Sequence, residues 1–159
     1  TLEEFFKWLI IIVALYKHVE FDDPYDGILY GASVSLGFAT VENILYLLNY
    51  GMGEAFLRAL LPVSSHALFG VVMGYYIGRA KFTSFKKIRL ELFFALIAPL
   101  FLHIIYNSIL TFTGLEILLM VPFMLFLWVF GLSKVKQAHI LSRRSRFEKH
   151  EYFIREDPN

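Results

Sequence analysis

Five side chains that could carry out metal or acid–base chemistry lie in strongly apolar stretches of this sequence. They are Glu3, Glu4, Glu42, His66 and His103. On insertion scales, a charged side chain at the centre of a bilayer costs about 2.5–3.5 kcal/mol. Several such residues in one short chain therefore indicate a shared polar pocket.

The spacing of these residues predicts that they lie at one depth. If each apolar stretch is a helix, Glu4, Glu42, His66 and His103 are each about 13–16 residues from the charged inner end of their own stretch. At about 1.5 Å per residue, that distance is roughly 20–24 Å from the inner boundary of the membrane. We therefore expect four helices to present these side chains in one layer, in the outer half of the bilayer.

Two histidines and a glutamate form a common catalytic zinc set, which leaves a fourth position for water. Bound zinc lowers the pKa of that water towards about 7 and so makes hydroxide available at neutral pH. We predict Glu42, His66 and His103 as the ligands of a Zn²⁺ ion.

Two further acids and two amides are candidates for the rest of the site. Glu3 or Glu4 could take a proton from the water and deliver it to a leaving amine. Asn107, four residues after His103 on the same helix face, and Asn43 could donate to a developing oxyanion or orient a histidine. These are the groups that amide hydrolysis requires.

Other roles for the same residues remain open. In a metal-free site, Glu3 and Glu42 would activate water together, and His103 with Asn107 would stabilise the oxyanion. In a transporter, the same acids and histidines would relay protons or pass a metal ion.

Structural roles are a further alternative. Thr1 and Glu4 match a helix-capping box. Glu3 and Lys7 are four residues apart and could pair. His66 could be a hydrogen-bonded contact between helices.

The composition is that of a membrane protein. Of the 159 residues, 57% are hydrophobic and 17 are Phe, and the mean hydropathy is +0.58. The absence of cysteine excludes disulfides, thiolate metal sites and a cysteine nucleophile. We predict an all-α, multi-pass transmembrane bundle with membrane segments at about 2–16, 27–50, 55–79, 89–112 and 115–133.

Basic residues predict the topology. They concentrate in the loop 79–89 and in the tail 134–159, so both should be cytoplasmic. We divide the chain into a helical core, 1–133, and this basic tail, which should attract anionic lipid rather than nucleic acid. Small residues recur every four positions at Gly27, Gly31 and Ser35 and at Gly70, Gly74 and Gly78, which predicts close helix packing within one chain or between two.

Four polar motifs occur in order on successive segments: "EEFFK", "FATVEN", "SSHALFG" and "HIIYN". With the stretch "DDPYDGILYGASVSLGFATVENILY", they resemble the PrsW family of intramembrane proteases, which is distantly similar to the membrane CAAX-processing endopeptidases. The resemblance covers about residues 2–110. Members of that family usually carry helices upstream of the first motif, so we expect this chain to be a fragment.

The resemblance implies a polytopic bacterial or archaeal plasma-membrane protease of the metalloprotease class. It implies functional roles for Glu3, Glu4, Glu42, His66 and His103. The family is associated with first-site cleavage of a membrane-anchored anti-sigma factor in a stress response. Together with the predicted depth of the site, this places the expected cut near the extracytoplasmic boundary.

Overall fold

The computed structural model describes residues 2–53, 61–112 and 114–156, with side chains as far as residue 147. Five α-helices make up most of it, and the prediction of an all-α bundle is confirmed. They are α1 (Leu2–Ile10), α2 (Asp26–Tyr50), α3 (Pro62–Lys81), α4 (Phe85–Ile109) and α5 (Glu116–Glu156), and a π-helical turn, Ile11–Leu15, continues α1.

Glycine and proline mark several helix ends. Gly51 follows α2 with φ of 87°, in the left-handed region where a Cβ is unfavourable. Pro62 occupies the first turn of α3, where its missing N–H costs no helical hydrogen bond. The predicted bounds of the first, second and fourth segments are close to the observed ones. The fifth helix extends well beyond its predicted end at 133, and residues 55–60 of the predicted third segment lie outside the described residues.

Three helices are long and apolar enough to cross a membrane: α2, α4 and the part of α5 from Glu116 to Phe147. The other two predicted spans do not meet this criterion within the described residues. Helix α1 with its π-helical turn is short, and α3 carries glycines and polar residues along a mostly buried surface.

Helix α3 is the central element of the bundle and packs against α2, α4 and α5. The two rows of small residues meet within this one chain. A Cβ added at Gly31 would lie 2.8 Å from the backbone N and Cα of Gly74, and one added at Gly27 would lie 2.7 Å from the N of Gly78. Because these facing glycines have no side chains, the backbones of α2 and α3 can approach to direct contact.

The loop after α1 is attached to the end of α3. Lys81 donates hydrogen bonds to the carbonyls of Tyr16, at 2.7 Å, and His18, at 3.3 Å. Burial lowers the pKa of the Lys81 ammonium, and the carboxylates of Asp22 and Asp26 act in the opposite direction. These contacts fix the start of the chain relative to α3.

Helix α5 continues without a break through residue 133, where we had divided core from tail. Ala138 and Ser142 are buried, and Ser142 bonds to Asp23 while Tyr75 donates to Gln137 at 2.7 Å. The beginning of the basic tail thus packs on the bundle, and the functional division at 133 stays a prediction.

Replacing Gly74 by Ala should destabilise the α2–α3 interface, because the added methyl group would overlap backbone atoms of α2. Overpacking of this kind costs about 1–3 kcal/mol. We expect the thermal unfolding midpoint of the detergent-solubilised protein to fall by several degrees. The matched control is Gly37→Ala, since a Cβ at Gly37 meets nothing within 4 Å; equal midpoints for the two variants would contradict the packing role.

Candidate active site

Glu4 is the centre of a buried polar cluster. It and Lys7 lie three residues apart on one face of α1, both with side chains fully buried, and Lys7 Nζ donates to Glu4 Oε1 at 2.7 Å. We had expected Lys7 to pair with Glu3, but it pairs with Glu4 instead. Glu4 bonds to side chains of the bundle, and Thr1, its predicted capping partner, lies outside the described residues.

The two histidines reach this cluster from α3 and α4. His103 Nδ1 lies 2.9 Å from Glu4 Oε1, and His66 Nδ1 lies 2.9 Å from Lys7 Nζ. Their ring centroids are 5.1 Å apart.

The partners of the two rings assign different tautomers to them. An ionised carboxylate only accepts, so His103 donates from Nδ1 and keeps a lone pair on Nε2. An ammonium only donates, so His66 accepts at Nδ1 and carries its proton on Nε2.

Two further carboxylates face the second nitrogen of His66. Glu42 Oε2 lies 3.6 Å from His66 Nε2, and Glu3 Oε2 lies 3.9 Å from the same atom. The side chains of Glu3 and Glu42 are 40% and 32% exposed, whereas that of His66 is 5% exposed. The outer carboxylates thus border the buried histidine on an accessible side.

One group of side chains is placed to hold a metal ion. Glu3, His66 and His103 each offer a ligand atom, and these atoms lie within 4.8 Å of one another. Ligand atoms at a tetrahedral zinc are roughly 3.4 Å apart, so modest side-chain movement would bring these three atoms to zinc-binding distances. The donor set fits zinc. Our predicted set had Glu42 where this group has Glu3, and Glu42 lies beside it against His66.

The two predicted amides are less closely associated with the cluster. Asn107 is exposed, and Asn43 is partly buried with an Oδ1 that accepts no hydrogen bond from the described part of the chain. No hydrogen bond or ion pair joins either residue to Glu4 or the histidines in that part of the chain, so their catalytic roles stay predictions.

Three positioning residues were not predicted. Ser35 donates to the carbonyl of His66 at 2.6 Å, Phe69 stacks on the His103 ring at 5.3 Å, and Lys7 connects Glu4 to His66. Ser35 belongs to the row of small residues and Lys7 to the first motif, so both carried a sequence signal. Phe69 lies within the third motif, three residues after His66, but its ring gave no sign that it would stack on His103.

The fold and the site together define a membrane protein whose helices enclose a carboxylate–imidazole cluster able to hold a metal ion. Residues 1–131 match the family model described as PrsW family intramembrane metalloprotease. The chain belongs to the PrsW family.

Curated relatives support this assignment. The chain is 56% identical over 137 residues to Protease PrsW of Bacillus subtilis (strain 168), covering 86% of this chain and 63% of the relative. It is 54% identical over 139 residues to Protease PrsW of Oceanobacillus iheyensis, covering 87% and 64%. A more distant Protease PrsW, from Clostridioides difficile (strain 630), is 36% identical over 141 residues, covering 85% and 59%. The chain therefore spans slightly less than two thirds of these relatives, and no solved structure matches it.

Removing the Glu4 and Lys7 charges one at a time should destabilise the protein more, in total, than removing both charges together. Glu4→Gln or Lys7→Met alone leaves a buried charge without its partner, which costs about 3–5 kcal/mol. The double variant removes both charges, so its loss in thermal unfolding midpoint should be clearly smaller than the sum of the single losses. Additive losses would mean that the two side chains do not stabilise each other.

Proposed function

We propose that this chain is the catalytic part of an intramembrane protease that hydrolyses a peptide bond of a membrane-anchored protein, such as an anti-sigma factor. The observation that carries this proposal is the approach of Glu3, His66 and His103 to within 4.8 Å of one another, with Glu42 beside them. Family membership and the named relatives point to the same chemistry.

In this proposal His66 and His103 bind Zn²⁺ together with one outer carboxylate. The ion would supply a water of lowered pKa and a Lewis acid for the scissile carbonyl. We assign Glu3 as the third ligand because it lies within 4.8 Å of both histidines, although Glu42 Oε2 is closer to His66 Nε2, at 3.6 Å against 3.9 Å. Glu42 then takes the proton and returns it to the leaving amine, whereas our sequence prediction had Glu42 as the ligand and Glu3 or Glu4 as the acid and base.

Glu4 has a supporting role in this proposal. Its Oε1 is held by both Lys7 and His103. A carboxylate behind a metal-binding histidine fixes the ring and raises its basicity. Glu4 thus orients His103, and Lys7 donates to the same carboxylate oxygen.

One observation favours a metal-free mechanism as the second candidate. Lys7 donates to His66 Nδ1, so the proton of His66 is on Nε2, the atom that faces both outer carboxylates. Metal binding through Nε2 requires that proton to leave. Without metal, Glu3 and Glu42 would activate water directly, and His66 would orient them.

The proposed setting is the plasma membrane. Loop 79–89 and the tail from 134 are cytoplasmic in this proposal, and anionic lipid binds the basic residues of the tail that the bundle leaves exposed. The cut lies near the extracytoplasmic boundary in this proposal. The number of residues from the inner end of each helix puts the active-site layer in the outer half of the bilayer.

Cleavage tests the proposal. The protein is reconstituted in phospholipid vesicles with a single-pass membrane-anchored anti-sigma factor, and products are mapped by mass spectrometry. We expect one cut near the extracytoplasmic boundary. The rate of cleavage should fall by a factor of about 100 or more in Glu4→Gln and in His66→Ala. His18→Ala is the matched control, because His18 is exposed in a loop away from the cluster.

Two results would contradict this account. Cleavage that is unchanged in Glu4→Gln and His66→Ala would remove the cluster from catalysis. Proton-coupled ion flux without any cleavage would favour the transporter.

Metal analysis distinguishes the two mechanisms. We expect the purified protein to hold about one zinc per chain, lost in His66→Ala and His103→Ala and weakened by about 10–100-fold in Glu4→Gln. If Glu3 is the third ligand, Glu3→Gln should lose zinc while Glu42→Gln keeps zinc and loses activity. Full cleavage by protein with verified metal removal would establish the metal-free mechanism instead.

A further inference from the structure

An open apolar groove lies between α1 and α2. Its volume is about 550 Å³, within the roughly 300–1,000 Å³ range of ligand pockets. Ile10 of α1 and Val34, Val41 and Leu45 of α2 line its walls.

The groove opens onto the candidate active site. Glu3 and Glu42 also line it, and these are the two carboxylates that face His66 Nε2 at 3.9 and 3.6 Å. Glu4 and His103 are buried behind them. Within the described residues, a polypeptide lying in this groove would therefore meet the carboxylates of Glu3 and Glu42 first and His66 behind them.

Gly37 leaves an open space in the wall of the groove, which we call the hollow. A Cβ added there meets nothing within 4 Å, whereas one added at Gly31 or Gly70 would overlap the facing helix. Glycine in a helix interior is less favourable than alanine by roughly 0.5–1 kcal/mol, and at Gly37 no helix contact explains it. The space lies between Val34 and Val41, one turn away on either side.

We propose that the transmembrane segment of the substrate enters from the lipid through this α1–α2 groove, and that Gly37 forms the pocket for a large apolar side chain beside the scissile bond. This inference rests on the proposed protease function. The occupant follows from the two ends of the groove. Apolar walls suit a membrane segment, and the groove leads such a segment to the two carboxylates that act at the scissile bond in the proposed function.

Cross-linking tests the route of entry. Because the chain has no cysteine, a single one can be placed at Val41 in the groove or at Leu36, which is 39% exposed and does not line it. The full chain is reconstituted in phospholipid vesicles with a single-pass anti-sigma factor that carries single cysteines along its membrane anchor. Oxidation should cross-link Val41→Cys several-fold more than Leu36→Cys.

Filling the hollow tests the pocket. Gly37→Phe should lower kcat/KM by about 10-fold or more, mainly through KM, with unchanged zinc content and thermal midpoint. Leu36→Phe places the same side chain at the neighbouring position outside the groove and should cleave like the wild type. Changing one large apolar side chain of the anchor to Ala should restore cleavage by Gly37→Phe and identify the residue that fills the hollow.

The possible outcomes separate this inference from the proposed function. If the wild type cleaves, while Gly37→Phe cleaves equally well and both cysteines cross-link alike, the groove holds lipid only and the inference is wrong although the protease stands. If the wild type does not cleave, the proposed function fails for this substrate, and the cross-linking ratio alone decides whether the segment occupies the groove.

Discussion

The site depends on one buried carboxylate oxygen, Glu4 Oε1, which accepts from both Lys7 and His103. A carboxylate removed from water needs such donors, and Glu4 depends on this one oxygen because its Oε2 is buried without a partner in the described residues. The need to satisfy Glu4 therefore ties α1 to α4, and Lys7 extends the connection to His66 on α3. Three helices are held at one level by a chain of charge-assisted hydrogen bonds.

The close approach of α2 and α3 makes this arrangement possible. Facing glycines let the two backbones touch near Gly31 and Gly74, and Ser35 continues the row up to the carbonyl of His66. Beyond that contact α2 presents Glu42 to His66, while Gly37 leaves open space on the side of α1. The same helix thus closes the site on one side and leaves it accessible on another.

Much of the fold and the convergence of the site could be predicted from the sequence. The helices follow from apolar length, and the meeting of Glu3, Glu4, Glu42, His66 and His103 follows from the cost of placing such groups singly in lipid. The partners within the cluster could not be predicted. Residues three and four apart share a helix face, so the choice of Lys7 between Glu3 and Glu4 depends on the rotation of α1 against α4. That rotation also decides whether Glu3 or Glu42 lies closer to the two histidines, and only tertiary packing sets it.

The central proposal is that His103, oriented by Glu4, and His66 together hold a hydrolytic zinc, and X-ray absorption at the zinc edge of active protein tests it most directly. The account predicts nitrogen and oxygen ligands at about 2.0–2.2 Å, with the multiple scattering of two imidazoles, and no bound zinc in His103→Ala. A zinc shell without imidazole in protein that cleaves its substrate would contradict the account.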